Sequence, residues 1–156
     1  MVKHRSDKKI ILNISPQTFV RANTNDRIFF RIPRDKLRPE GLKRLKRLEK
    51  YNEYKLDLSA EAKRVKFVMP EQGSHITFYV PVPKSWAKYK KKEKHLMLHD
   101  STPDIDNFCK AMLDSLLAED KYIADIHLTK KWVNAEQGYI EIIISTPTNH
   151  SKDTLI

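Results

Sequence analysis

The chain has 156 residues, 40% hydrophobic and 32% charged, which suits one soluble globular domain with one modest core. Its formal net charge of +10 attracts polyanions over long range, so nucleic acid is the expected partner. The basic segments lack the strongly amphipathic helix that an anionic membrane surface selects.

No apolar run approaches the length of a bilayer span. The N-terminal apolar stretch is too short for a signal peptide and lacks a small-residue cleavage site, so the cytoplasm is the expected location. A single cysteine, Cys109, excludes an internal disulfide and argues against a structural zinc site. Gly41, Gly73 and Gly138 are too scattered for a phosphate-cradling loop or a dinucleotide fingerprint, so no nucleotide cofactor is expected.

In chain order, the isoleucine-rich stretch Lys8–Ile14 predicts a first strand. Asn, Asp and Pro residues then predict loops around a short strand at Arg27–Ile32. Pro39 suits a first helical turn, and Leu42, Leu45, Leu48 and Tyr51 recur at near-helical spacing, predicting a helix that runs to Val65. Lys43, Arg44, Lys46 and Arg47 fall between them as a solvated face.

His75–Val82 alternates and is rich in β-branched and aromatic residues, which predicts a strand. Residues 83–95 carry Lys84, Lys88, Lys90, Lys91, Lys92 and Lys94 with Trp86 and Tyr89. The aromatics are expected to anchor this segment to the core. His95 and His99 lack the glutamate of a zinc-protease helix and read as surface or core histidines. Lys121–Val133 and residues 138–146 predict two strands, joined as a hairpin by Asn134–Gly138. Residues 1–146 are expected to form one domain, and 147–156 a polar tail.

The stretch Pro103–Ser115, PDIDNFCKAMLDS, concentrates acids in a basic chain. Ser101, Thr102 and Pro103 follow helix-start grammar, with proline at the first helical position. Ile105, Phe108, Cys109, Met112, Leu113 and Leu116 then form one apolar stripe, while Asp106, Lys110 and Asp114 make a row on another side. Within a regular helix Asp104 and Asp106 point about 200° apart. They can converge only if Asp104 lies in an irregular turn leading into the helix. Glu119 and Asp120 follow the helix, and Asp125 falls in the next predicted strand. For Asp120 to meet Asp104, the chain must run back along the helix, or the helix must be short. Should the acids meet, carboxylates without histidine or cysteine partners suit Mg²⁺ or Mn²⁺. In a basic protein the matching substrate is a phosphodiester, with Lys110 placed to offset phosphate charge.

The segment PVPKSWAKYKKKEKHLMLHDSTPDIDNFCKAMLDSL resembles the signature region of the RusA-type Holliday-junction resolvases. Pro103, Asp104, Asp106, Asn107, Lys110 and Asp114 match the central motif, and Asp120 best matches the later acid, with Asp125 as the strand aspartate. The close match covers Pro81 to Trp132. The resemblance implies an α+β fold, a single domain with a mixed β-sheet against helices. It implies a homodimeric, Mg²⁺-dependent endodeoxyribonuclease that cuts four-way DNA junctions by paired symmetric nicks. It implies that Asp104, Asp106 and Asp120 hold the metal and that Lys110 assists catalysis. Beside such a site Lys84, Lys88, Lys90, Lys91 and Lys92 are expected to contact DNA. Thr102 stands where members often have lysine, and Glu119 where they often have aspartate, so Glu119 stays open as an alternative third ligand. Host-chromosome repair and prophage DNA processing read alike at this level, and a non-catalytic DNA-binding protein is the rival reading.

Overall fold

The computed structural model describes residues 7–68 and 72–145. The polar tail expected at 147–156 lies outside the described residues. Its central strand, β2 (Ser74–Pro81), is buried along most of its length. On one side β2 pairs in parallel with β3 (Ile126–Val133), and on the other antiparallel with β4 (Tyr139–Ser145). β4 in turn pairs antiparallel with β1 (Asp7–Leu12), giving a mixed sheet in the order β1-β4-β2-β3. The expected α+β architecture with a mixed sheet is the observed one.

The hairpin expected between β3 and β4 is not formed, because β2 lies between them. Neighbouring strands are about 4.8 Å apart, so stepping over one extra strand adds little to the distance that a five-residue link must cover. A short polar link ending in glycine therefore serves either topology. Gly138 is where the link passes close over β2: a Cβ there would collide with the Tyr79 carbonyl oxygen and approach Pro81 Cδ to 2.9 Å.

Alternation along the strands sends Ile10, Leu12, Ile76, Phe78, Ile140 and Ile142 into one core. Two helices cover that face. The first is α2 (Pro39–Arg64), which starts with Pro39 at a first-turn position and buries Leu45, Leu48, Tyr51, Tyr54, Leu58 and Ala62. Its end has no glycine. Lys66 instead takes the left-handed conformation (φ 57). The Phe67 N–H bonds back to the Ala62 carbonyl at 2.8 Å and the Lys66 N–H to that of Lys63 at 3.1 Å, a Schellman closure. The second is α4 (Ile105–Leu116), which buries Phe108, Ala111 and Met112 and stacks Phe108 on Phe78 with ring centroids 5.7 Å apart.

The strand expected at Arg27–Ile32 is instead a short helix, α1 (Asp26–Arg31). Its start is fixed by reciprocal bonds: the Asn23 N–H donates to Asp26 Oδ2 at 2.7 Å and the Asp26 N–H to Asn23 Oδ1 at 3.1 Å. These satisfy donors that a helix start leaves open. The lysine-rich segment forms a further short helix, α3 (Lys88–Lys94). Residues 96–99 then run beside the outer edge of β3. The N–H groups of Leu96 and His99 bond to the carbonyls of Trp132 and Lys130, and the Trp132 N–H to that of Met97. This covers an edge that would otherwise present unpaired backbone groups.

Candidate active site

The α4 helix begins two residues later than the proline signal suggested, and Pro103 precedes it rather than opening it. Asp104 is the N-cap, with extended backbone (φ −65, ψ 146). It therefore stands outside the helical rotation that would separate it from Asp106. Asp106 occupies the first turn. Both carboxylates are exposed, and the positive end of the helix dipole favours them there. Lys110, one turn on, approaches Asp106 at 4.0 Å with both side chains about 60% exposed, a separation at which neither group is locked.

Asp120 lies in the link between α4 and β3. The helix has twelve residues, or about 18 Å, and the chain then turns back in an irregular link instead of continuing as a strand from Lys121. The link is pinned to the residue before β2. The Gln72 side chain accepts from the N–H groups of Ala124 and Asp125 at 3.0 and 2.9 Å and donates to the Tyr122 carbonyl. Asp125 thus lies before β3 rather than within it, its carbonyl bonded to the Gly73 N–H at 2.8 Å. Burial pushes the Cys109 thiol above its ordinary value, and the negative charges of Asp106 and Asp120 push it further. Asp120 and Lys110 also line one cleft of about 440 Å³ with Glu119, Asp114, Phe19 and Arg21.

Among the described residues, no three His, Cys, Asp or Glu side chains form a group placed to hold a metal ion. The donor chemistry fits a hard cation all the same. Asp104, Asp106 and Asp120 offer exposed oxygens only, and burial keeps the nearby Cys109 thiol of α4 protonated. Glu119 is engaged by Lys121 at 2.9 Å, whereas among the described residues neither Asp104 nor Asp120 has an ion-pair partner. Asp114 faces the neighbouring helix. It accepts from the Tyr51 hydroxyl at 2.6 Å and lies 3.7 Å from Lys55. Burial and this carboxylate raise the Tyr51 hydroxyl well above its ordinary value.

Lys130 lies on β3. Its ammonium donates to the carbonyls of Ser101 and Pro103 and so fastens the turn that carries Asp104. Beneath that turn His99 is buried and stacked on Trp132, ring centroids 3.6 Å apart. Burial and the Lys130 charge hold its imidazole below the ordinary value, so it is a neutral core group near pH 7. Trp86 meets the other side of the arrangement edge-on, 4.9 Å from Trp132, and anchors the basic segment as expected. Tyr89, by contrast, is 74% exposed. Lys88, Lys90, Lys91 and Lys92 all lie on α3, with Lys84 in the turn before it. The Lys90 ammonium sits 4.2 Å from the centre of the Trp86 ring.

No helix among the described residues is long and apolar enough to cross a membrane. No curated protein matches the chain at a significant level. The family model described as "Endodeoxyribonuclease RusA" matches residues 32–145, a span that includes α4, the acids on either side of it and the whole lysine-rich segment. The chain belongs to the RusA endodeoxyribonuclease family.

Proposed function

We propose that this protein is a divalent-metal-dependent nuclease that cuts four-way DNA junctions by paired symmetric nicks, acting as a homodimer in DNA recombination and repair. The observation that carries the reading is the family match across residues 32–145, supported by Asp104 standing outside the helical rotation as the N-cap of α4 and by Asp120 lining one cleft with Lys110. Asp104, Asp106 and Asp120 would hold Mg²⁺, or Mn²⁺ in its place. Such an ion, when bound, activates water and stabilises the leaving oxygen of an in-line displacement.

The chain's own residues supply the remainder. Lys110 lies between Asp106 and the cleft that Asp120 lines, so its ammonium can offset charge building on the phosphate. Lys84, Lys88, Lys90, Lys91 and Lys92 contribute a phosphate-binding face, each contact releasing counterions from DNA. A two-fold axis bringing two such faces together matches the symmetry of a four-way substrate.

The test is a synthetic four-way junction incubated with the protein with and without Mg²⁺ or Mn²⁺. Paired nicks that appear only with metal, and vanish in Asp106→Asn while junction binding persists, support the proposal. Binding without cleavage under every metal condition would leave a DNA-binding protein that does not cut.

A further inference from the structure

The cleft that holds Asp120 and Lys110 does not end there. A second cleft of about 660 Å³ adjoins it, walled by α1, α2 and the loop that leads into α1. Phe19, Arg21 and Asp114 line both, so the two form one continuous groove running away from the acids. Its far part carries Arg27, Lys55 and Phe30.

The groove is built rather than incidental. The Phe19 N–H bonds to the Asn107 carbonyl at 3.1 Å, tying the loop to the first turns of α4. Arg44 reaches across from α2 and donates to the Arg21 carbonyl at 2.6 Å, while its guanidinium grips Asp26 at 3.0 and 3.1 Å. Asp26 is only 4% exposed and is itself bonded to Asn23. The Arg21 carbonyl is therefore held by Arg44 while the Arg21 side chain stays exposed.

The charges sort accordingly. Asp26 is neutralised by Arg44, and Asp114 is shared by Tyr51 and Lys55. Arg21 and Arg27 have no ion-pair partner among the described residues, and both are exposed. Phe30, at the same wall, is 57% exposed, an arrangement with no packing rationale. Unpaired cations spaced along a groove with an exposed aromatic are what a single nucleic-acid strand needs, with guanidiniums for phosphates and a ring face for a base.

We propose that this groove seats the DNA strand leaving the acidic site near the branch point, with phosphates on Arg21 and Arg27 and a base against Phe30. The inference rests on the nuclease reading but places the substrate on residues outside the acid-and-lysine motif.

The test measures junction binding by fluorescence anisotropy in metal-free buffer over a range of salt, with folding of each variant checked by circular dichroism. The slope of log affinity against log salt should fall in magnitude by about 0.7–0.9 for each of Arg21→Gln and Arg27→Gln, and by roughly twice that in the double variant. Phe30→Ala should lower affinity about five-fold or more with little change of slope. Lys63→Gln, an exposed cation farther along α2, should leave the slope unchanged. Wild-type slopes in both arginine variants, with junction nicking by the wild-type protein intact, would overturn the groove and leave the nuclease reading standing. A wild-type protein that neither binds nor nicks junctions would sink both.

Discussion

The ammonium of Lys130, on β3, donates to the carbonyl oxygen of Pro103 at 2.6 Å and to that of Ser101. A strand residue thereby holds the turn that sets the direction of Asp104. With Asp104 holding the metal as proposed, removing the ammonium in Lys130→Met should lower kcat for junction cleavage about 10- to 100-fold, the usual cost of losing a group that orients a metal ligand. KM for the junction should move little, and stability should fall by about 1–2 kcal/mol. Lys130→Arg should recover part of kcat. A variant that melts earlier but cleaves at the wild-type rate well below its Tm would show that the clamp only stabilises the fold.

The proposed reading makes Asp120, and not Glu119, the third metal ligand. Glu119 is paired with Lys121, whereas Asp120 has no ion-pair partner among the described residues and lines one cleft with Lys110. An ion bound to the native state raises Tm by mass action. Mg²⁺ should therefore raise the Tm of Glu119→Gln as it does the wild type's, and should not raise that of Asp120→Asn. The opposite pattern, read by differential scanning fluorimetry, would assign the ligand to Glu119.

Periodicity and punctuation in the sequence made the long elements legible. The leucine and tyrosine spacing located α2, and the alternating run located β2. The apolar stripe of Pro103–Ser115 located α4 to within two residues. Short-range signals failed where distant residues decide the outcome. Arg27–Ile32 is too short for its pattern to select strand or helix, and Asn23 and Asp26 together with Arg44 of α2 make it a helix. The link Asn134–Gly138 reads as a hairpin because nothing local reveals that β2 occupies the intervening place. Lys66 ends α2 in a conformation normally left to glycine, so no terminator was visible. At the site, the spacing of Asp104 and Asp106 and their need for an irregular turn were readable. The doubling back of the chain was not, because it depends on Gln72, which lies 52 and 53 residues before its partners Ala124 and Asp125.

Gly138 tests the crossing of β3 to β4. An alanine Cβ would meet a backbone carbonyl of β2 and the Pro81 ring, neither of which can swing aside as a flexible side chain could. Gly138→Ala should cost about 3 kcal/mol, at the upper end for overpacking, read as a lower urea midpoint. The shift of the link should also loosen the register of Tyr79 against Tyr139, whose rings stack 4.2 Å apart. A near-UV circular dichroism spectrum and stability unchanged from wild type would contradict the crossing.

The buried pair of Asp26 and Arg44 makes a prediction for pH. Hydrogen bonding from Arg44, then from the Asn23 N–H, holds the Asp26 carboxyl below its ordinary value of 3.8, against the opposing effect of desolvation. A depressed pKa in the folded state means that, as acid is added, the unfolded chain takes up this proton first. The contribution to stability is therefore fully present above the ordinary carboxylate pKa and is lost as pH falls through the depressed one. Asp26→Asn removes it at every pH. In urea titrations the wild type should exceed Asp26→Asn in stability near pH 7, and the gap should narrow as the pH falls below 3.8 and through the depressed value of the folded carboxyl. A gap that stayed constant would mean that the variant's defect lies in packing and not in the charge held by Arg44.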